Sequence, residues 1–437
     1  MKILMIANYF PPINGSGSIQ TMYYAKYLAM KGNEVNVITA DYPKDYLNYD
    51  EGLLKEITNV PNLNIHYVSL GNLYLKIYPR MKIKGSKEKN KSRKSLKVFL
   101  NSALRKKVKK IVSIPDSYLE WRNSAYDNAK TIIEKDKPDV IFSILESPSS
   151  HLVALKLKKH FPHIKWIGFW SDPWTLSIDF SKKPFLRRYI EKKMENEIIK
   201  NVDKLLFTTS ATSELYQRKF GIEDLKCDVV YRGFDLEKYE LIKSKTCSTD
   251  FENIINPVKI NIIHAGELYS QYRDIEPLLL ALKEIKQKNY NVFEKLNIIF
   301  MGGMHGYSEH LGILAEELNI KITTRKPFDE SLALMFNSDF LLLYGNKGGV
   351  QIPGKVYDYF GIDKPIISLI ANTSDPLVKL LDNNPKGPVI SNEKAVIIDL
   401  IKDIVNKKVN INSQFYQPNY NFQWEKIISD LEEKLNT

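Results

Sequence analysis

The first 39 residues decide the fold: the apolar run Lys2-Ile-Leu-Met-Ile-Ala7 is followed by a glycine-bearing loop, a helical stretch at Thr21–Met30 and a second apolar run, Glu34-Val-Asn-Val-Ile-Thr39. The two runs predict strands that flank a helix. This βαβ order implies a parallel sheet with a right-handed crossover, and such sheets bind ligands at the carboxyl ends of their strands. Gly15 and Gly17 of the loop therefore lie where a ligand is expected.

The same alternation of strands and helices continues along the chain and restarts after a polar stretch without clear period at 240–257. We expect an α/β protein of two doubly wound, Rossmann-like domains that face a shared crevice. The predicted domains are 1–239 and 258–421, with 240–257 as the linker. The length of 437 residues agrees, because it exceeds what one hydrophobic core normally serves.

A glycine-rich stretch in the second half, Gly345-Asn-Lys-Gly-Gly349, precedes Gln351-Ile-Pro-Gly-Lys-Val-Tyr-Asp-Tyr-Phe-Gly361. The pattern predicts a loop and a helix that begins at Pro353, and unpaired N–H groups at a helix start attract anions. Lys355 and Asp358 share one helix face, and a cation beside a carboxylate suits a phosphate next to a sugar diol. The pattern favours a nucleotide-sugar site. The alternative is a capped surface helix with an ordinary ion pair between these two residues.

Two other predicted strands end in candidate ligand residues. One ends at Gly266, and Arg273 stands just before the helix that follows. The other ends at Trp170 and runs into Asp172 and Trp174. An acid and an aromatic ring at a strand end suit sugar recognition, by hydrogen bonds to hydroxyls and by stacking on the ring. The alternative is an Asp-Pro turn with the tryptophan packed into the core.

The formal charge of +12 is concentrated in one segment. Between Lys76 and Lys110 there are fifteen Lys or Arg residues and one acid. Within and just beyond this segment, residues 96–112 have apolar side chains at helical spacing, which predicts a basic amphipathic helix that favours an anionic membrane surface. The alternatives are a solvated loop or a helix packed on its own domain. Nucleic acid is not expected as a partner, because the segment has few aromatic residues for stacking on bases.

Other features bear on compartment and cofactors. The two cysteines, Cys227 and Cys247, have neither metal-binding nor redox spacing, which favours plain thiols in a reducing compartment. There is no Asp-x-Asp motif and no His or Cys cluster with ligand spacing, so no metal is expected. The initial apolar run is too short for a signal peptide, and no window reaches the roughly 18 apolar residues of a membrane span. We expect a cytoplasmic protein, peripheral on the inner face of the membrane.

Four groups of residues, spread along nearly the whole chain, occur in the order that a known protein family shows. They are Tyr9-Phe-Pro-Pro12 with Gly15-Ser-Gly17, Phe169-Trp-Ser-Asp-Pro-Trp174, Gly266-Glu-Leu-Tyr269 with Arg273, and Pro353-Gly-Lys-Val-Tyr-Asp-Tyr-Phe-Gly361 with Lys364-Pro365. Together they resemble the retaining GT-B glycosyltransferases of family 4. The segment Ile114–Trp121 resembles a feature of the bacterial branch that builds surface polysaccharides, lipopolysaccharide and other glycolipids.

The resemblance implies a metal-independent hexosyltransferase without a cofactor. Its donor would be a UDP- or GDP-sugar, its acceptor a lipid-linked saccharide or polysaccharide precursor, and the anomeric configuration would be retained. In family members the tail helix returns to the first domain, which implies the same for residues 422–437. From pattern alone, this helix could equally belong to the C-terminal domain.

The resemblance also implies roles for the candidate residues. Asp358 would bind the ribose hydroxyls, and the cations Lys355 and Arg273 would act catalytically on the donor diphosphate. Three glycines would let the backbone approach the donor: Gly15, Gly17 and Gly266. Asp172 would act on the acceptor side as a further catalytic residue, with Trp174 beside the sugar.

Three departures from the family pattern affect the sugar side of the site. Glu267 stands where members carry an arginine, and Val350 stands where they carry a glutamate eight residues before the ribose-binding acid. A histidine that members hold near the position of Asp172 is absent. Two alternatives therefore stay open: a sugar-nucleotide epimerase or hydrolase on the same fold, and a catalytically inactive binding subunit.

Overall fold

The computed structural model describes residues 1–46, 48–72, 74, 114–245, 251, 253–348, 350–407 and 412–437. The chain forms two compact units, one from Met1–Val230 with Ile428–Thr437 and the other from Tyr231–Ile427. The basic segment 76–110 and the amphipathic helix predicted at 96–112 lie outside the described residues.

The first unit contains a parallel sheet of seven strands. These are β1 (Lys2–Ile6), β2 (Glu34–Asp41), β3 (Leu63–Ser69), β4 (Val140–Leu145), β5 (Lys165–Trp170), β6 (Lys204–Phe207) and β7 (Cys227–Val229). Their order in the sheet is β3-β2-β1-β4-β5-β6-β7. The central strands β1 and β4 are buried almost throughout, because a parallel sheet with helices on both faces has no solvent side.

The helices of this unit are α1 (Ser16–Met30), α2 (Glu51–Lys55), α3 (Leu119–Asp136), α4 (Pro148–His160), α5 (Phe185–Asn201) and α6 (Ser210–Phe220). The helix predicted at Thr21–Met30 begins five residues earlier, at Ser16, with Gly15 in an extended conformation as its N-cap. The prediction was wrong because Ser16–Gln20 lack apolar periodicity, although Ser18, Ile19 and Gln20 are buried. The glycine loop is therefore shorter than predicted.

The second unit contains a parallel sheet of six strands and a separate pair of two-residue strands. The strands are β8 (Ile260–Ala265), β9 (Leu268–Tyr269), β10 (Leu296–Met301), β11 (Met304–His305), β12 (Lys321–Thr323), β13 (Phe340–Tyr344), β14 (Ile366–Ile370) and β15 (Val389–Ser391). The larger sheet has the order β12-β10-β8-β13-β14-β15, and β9 pairs with β11.

Eight described helices lie within the second unit, and a ninth begins there. They are α7 (Leu236–Lys245), α8 (Glu276–Lys288), α9 (Tyr290–Phe293), α10 (Glu309–Glu317), α11 (Phe328–Phe336), α12 (Lys355–Phe360), α13 (Pro376–Asn383), α14 (Lys394–Val405) and α15 (Trp424–Asn436). The last helix runs from the second unit into the first, because residues from Ile428 onward belong to the first unit. No described helix is long and apolar enough to cross a membrane.

One predicted boundary in this part of the chain is corrected, and the predicted linker stays a prediction. The helix α7 overlaps the first residues of 240–257 and ends at Lys245, and its buried Tyr239 packs against Phe234, with ring centroids 5.5 Å apart. The helix predicted to begin at Pro353 begins at Lys355 and has six residues. Pro353 instead precedes the N-cap, and its carbonyl accepts a turn hydrogen bond from Val356 N at 3.0 Å. So short a helix has little dipole with which to hold an anion.

Candidate functional site

Two neighbouring strands of the second unit, β8 and β10, each end at a glycine with a positive φ. Gly266 has a φ of +108° and Gly302 a φ of +114°, which disfavours any other residue. A Cβ atom at Gly302 would lie 2.7 Å from the carbonyl carbon of Gly266. A Cβ atom at Gly266 would lie 2.9 Å from the Nζ atom of Lys355. The two glycines therefore let the loops approach each other and leave room for the Lys355 ammonium.

A buried histidine on β8 fixes the position of that ammonium. His264 Nδ1 lies 2.9 Å from the carbonyl oxygen of Leu342, which can only accept, so Nδ1 carries the proton. Nε2 is then the acceptor for Lys355 Nζ at 2.8 Å. Burial, followed by the charges of Lys355 and Arg273, lowers the pKa of His264 well below its usual value. The imidazole is therefore neutral, and it positions the lysine without cancelling its charge.

A second cation, Arg273, stands in the loop between β9 and α8. Its Nε atom is buried and has no hydrogen-bond partner among the described residues. Tyr307 holds the backbone here by donating a hydrogen bond to the Arg273 carbonyl at 2.9 Å. Burial lowers the pKa of the guanidinium. A desolvated cation with an unsatisfied N–H is costly unless an anion binds to it.

The two cations act on each other. Burial, and then the charge of Arg273, lowers the pKa of Lys355 well below its usual value, while Asp358 and Glu267 oppose the shift. Among the described residues, neither Lys355 nor Arg273 forms a salt bridge with a carboxylate. Two partly buried positive charges at the carboxyl ends of parallel strands match a ligand with more than one negative charge.

Asp358, on α12, faces a different set of partners. Its Oδ1 atom lies 3.8 Å from Arg232 Nη2 and 3.5 Å from the Tyr239 hydroxyl. Burial raises the pKa of Asp358, and Arg232 is the strongest opposing influence. Lys355 and Asp358 do not form the ordinary ion pair that was the alternative interpretation. Lys355 donates a hydrogen bond to His264 instead. The carboxylate side chain keeps 18% of its surface exposed, so it can still accept hydrogen bonds from a ligand.

The glycine-rich loop after β13 is tied down by a residue that sequence reasoning missed. Asp375 accepts hydrogen bonds from Asn346 N at 3.0 Å and from Leu377 N at 2.9 Å. Lys347 N donates to the carbonyl of Tyr272 at 2.7 Å, which links the loop to the residue before Arg273. The Asp-Pro pair at the start of α13 is a helix-cap signal that could have identified Asp375.

Glu267, one of the departures from the family pattern, lies immediately before β9 of the small β9–β11 pair. It accepts a hydrogen bond from the Tyr269 hydroxyl, and burial together with this bond raises the pKa of Tyr269 to about 12. The Tyr269 ring stacks on His305, with centroids 5.2 Å apart. The carboxylate thus places a negative charge close enough to Lys355 to oppose the lowering of its pKa.

In the first unit, the predicted glycines have different surroundings. A Cβ atom at Gly15 would meet nothing within 4 Å. A Cβ atom at Gly17 would collide with the carboxyl group of Glu146, which follows β4. That group is the far end of a flexible side chain and can move aside, so this contact does not by itself require glycine. The contacts of Gly15 and Gly17 with a donor both stay predictions.

The predicted acceptor residues lie in the loop after β5, which two buried glutamates of α5 hold in place. Trp174 is 6% exposed, and its indole N–H donates to Glu191 at 2.8 Å. Glu195 accepts hydrogen bonds from Thr175 N at 3.1 Å and from the Tyr216 hydroxyl at 2.7 Å. Trp174 is therefore a core residue, as the packing alternative expects, and it offers no exposed ring face to a sugar. Asp172 is exposed at the start of the same loop.

The sequence shows only that the two glutamates are four residues apart and so share one face of a helix; that this face is buried is seen only in the structure. As for metal binding, the described residues contain no group of three or more His, Cys, Asp or Glu side chains that could hold an ion.

Comparison with known proteins is informative about the fold. Residues 93–238, about a third of the chain, match the model of Glycosyltransferase Family 4. No curated protein sequence matches the chain.

Several solved structures are similar over the full length of the chain. HepE of Anabaena in complex with UDP has a TM-score of 0.61 at 14% identity, with 100% of both chains covered. WaaG, a glycosyltransferase involved in lipopolysaccharide biosynthesis, has a TM-score of 0.56 at 12% identity, covering 100% of this chain and 99% of its own. The UDP-GlcNAc 2-epimerase of Neisseria meningitidis bound to UDP-GlcNAc has a TM-score of 0.56 at 13% identity, with 100% of both chains covered. The predicted GT-B class, with two Rossmann-like α/β units, is confirmed.

Proposed function

We propose that the chain is a hexosyltransferase that moves a sugar from a UDP- or GDP-sugar to a lipid-linked saccharide or polysaccharide precursor. The anomeric configuration is retained and no metal takes part. One observation carries the proposal: Arg273 and Lys355 are neighbouring, partly buried cations without a paired carboxylate among the described residues. A nucleotide diphosphate supplies the negative charge that these two groups lack.

The roles of the residues follow from this placement. The bond between the anomeric carbon and the diphosphate oxygen breaks while a bond to the acceptor oxygen forms on the same face of the sugar. Arg273 and Lys355 stabilise the negative charge that develops on the leaving diphosphate, which is usually the largest contribution to catalysis. The leaving phosphate takes the acceptor proton. Asp358 binds the ribose hydroxyls, and Asp172 orients the acceptor hydroxyl.

The comparisons support the proposal at the level of the donor. HepE was solved with UDP, and the partial family match is to a glycosyltransferase family. A lipid-linked acceptor is supported by the WaaG likeness and by the basic segment at 76–110, which suits an anionic membrane surface on the cytoplasmic side.

A second candidate is a sugar-nucleotide epimerase. It is favoured by the likeness to the UDP-GlcNAc 2-epimerase and by the two departures Glu267 and Val350, which alter residues expected beside the donor sugar. Such an enzyme needs the nucleotide site but neither an acceptor nor a membrane.

The deciding experiment incubates the full chain with UDP- and GDP-sugars labelled in the sugar, in the presence of a membrane lipid extract. We expect label to enter the organic phase with one donor, and the Lys355→Ala variant to lose this transfer by at least about 100-fold, since a key donor contact is gone. The matched control Lys326→Ala removes a cation of the same unit that pairs only with Glu330 among the described residues, and it should transfer normally.

Each alternative gives a different result in this assay. Label that stays water-soluble but moves to a different sugar nucleotide identifies the epimerase. Label that stays in the unchanged donor under every condition identifies an inactive binding subunit, and either outcome contradicts the transferase proposal.

A further inference from the structure

Four large apolar side chains project into solvent on the first unit, around the start of α5. Ile178 is 48% exposed, Phe185 76%, Leu186 67% and Tyr189 60%. Isolated exposed apolar residues are common, but clusters of this kind mark interaction surfaces.

The helix itself separates this surface from the core. Phe185 and Tyr189 are four residues apart and therefore share one face, and Leu186 lies beside them. The opposite face holds Glu191, Glu195 and Ile198, all of which are fully buried. The apolar side chains thus lie on the outward face and cannot pack into their own unit without rotating the helix.

Exposed cations lie next to the apolar side chains. Lys192 and Lys193 continue the outward face by one turn and are exposed. Residues 178–193 contain six Lys or Arg and two acids, Asp179 and Glu191. Glu191 is fully buried and neutralised from within by Lys183 at 2.7 Å and by Arg187. The exposed surface is therefore apolar at its centre and positive at its edge.

The same helix is attached to the loop that carries Asp172. Glu191 accepts the indole N–H of Trp174 at 2.8 Å, and Glu195 accepts the backbone N–H of Thr175 at 3.1 Å. Because both carboxylates are buried and hydrogen-bonded, the surface and the loop form one rigid part of the first unit.

We propose that this apolar-basic surface, formed by Ile178, Phe185, Leu186, Tyr189, Lys192 and Lys193, docks on an anionic membrane. The apolar side chains enter the boundary between headgroups and acyl chains, while the lysines meet lipid phosphates. On the proposed function, docking in this orientation brings a lipid-linked acceptor to the loop of Asp172. This surface is separate in sequence from the basic segment 76–110.

The charge distribution favours lipid over a second copy of the chain. Two identical surfaces with positive edges would repel each other on contact, whereas an anionic bilayer attracts them. An anionic bilayer also accommodates protruding aromatic and aliphatic side chains without requiring a complementary pocket.

The test measures binding of the full chain to phosphatidylcholine vesicles with and without 30% phosphatidylglycerol. The apolar variant is Phe185→Ser, Leu186→Ser and Tyr189→Ser combined, and the charge variant is Lys192→Glu with Lys193→Glu. We expect each to lower partitioning onto the anionic vesicles by at least about tenfold, because each lysine near the lipid contributes about fivefold. The matched control is Leu225→Ser, which removes a side chain that is 93% exposed elsewhere in the same unit.

Two further measurements keep the result specific. UDP affinity and thermal stability should match the wild type in both variants, so a failure of the docking surface is distinguishable from a failure of the nucleotide site. Wild-type partitioning by the apolar variant would overturn the proposal and assign membrane binding to 76–110. Self-association of the wild type without lipid, lost in the variants, would also overturn it and identify a protein interface.

Discussion

Arg273 should show opposite effects on stability and on nucleotide binding. Its buried Nε has no hydrogen-bond partner in the described parts of the chain, and its charge lowers the pKa of Lys355. The variant Arg273→Met keeps the aliphatic stem but removes the charge and the unsatisfied N–H. An unsatisfied buried donor costs about 1–3 kcal/mol, so the ligand-free variant should be more stable by roughly that amount.

Binding should change in the other direction. Hydrogen bonds to charged groups contribute about 1.5–3 kcal/mol, so loss of the guanidinium should weaken UDP binding by roughly 10- to 150-fold. Calorimetric titration with UDP and a thermal-unfolding scan measure the two effects. A melting temperature a few degrees above the wild type is expected, since 1 kcal/mol shifts a unit of this size by about 2–4 °C.

The matched control is Arg122→Met in the first unit, where another buried guanidinium Nε has no partner among the described residues. UDP affinity should be unchanged in that variant. The reasoning is refuted if Arg273→Met is less stable than the wild type and binds UDP equally well, because Arg273 would then be a structural residue.

Three further predictions concern protonation and backbone geometry. Burial and Arg273 depress the pKa of Lys355, so UDP binding should be accompanied by proton uptake and should weaken as pH rises. Calorimetry in two buffers of different ionisation enthalpy measures this uptake. The absence of proton uptake at alkaline pH would contradict the prediction. Gly302→Ala should destabilise the protein by at least about 2 kcal/mol in urea unfolding, because the new Cβ atom would strike the Gly266 backbone and the residue has a positive φ. The control Gly312→Ala in α10 should be neutral or stabilising, because a Cβ atom there would meet nothing within 4 Å. Burial lowers the pKa of His151 to about 3, so the stability that its neutral form supports is present above its unfolded pKa and is lost as pH falls. At about pH 4.5 the free energy of unfolding should be about 3 kcal/mol lower than at neutral pH. A His151→Asn variant that is as acid-sensitive as the wild type would refute this prediction.

Regular apolar runs made the sheets predictable. The strand predicted to end at Trp170 ends there in the structure, and the one predicted to begin at Glu34 begins there. Helix starts were harder, because a start depends on which backbone groups find partners rather than on apolar periodicity. The helix at Ser16 begins earlier than predicted, and the helix at Lys355 begins later than predicted.

The candidate site shows a different limit of sequence reasoning. Arg273 was predicted from its place after a strand end and Lys355 from a helix that follows a glycine-rich loop, but the group that positions Lys355 was not predicted. His264 lies 91 residues away in the chain and resembles an ordinary polar interruption of a buried strand. Pairings of this kind depend on the register between distant strands, which local patterns do not contain.

Trp174 shows the converse error. An aromatic residue after a strand end has the composition of a sugar site, yet its indole N–H is committed to a glutamate that lies 17 residues further along the chain. Burial could be inferred only with knowledge that Glu191 faces inward on α5.

The most direct test of the nucleotide site is hydrogen–deuterium exchange of the full chain with and without UDP. Slower exchange is expected in the backbone of the second unit at Gly266–Tyr269, Gly302–His305 and Gly345–Lys347, and it should be lost in Lys355→Ala. Unchanged exchange at these three loops at saturating UDP, or protection confined to the first unit, would contradict the placement of the donor diphosphate beside Arg273 and Lys355.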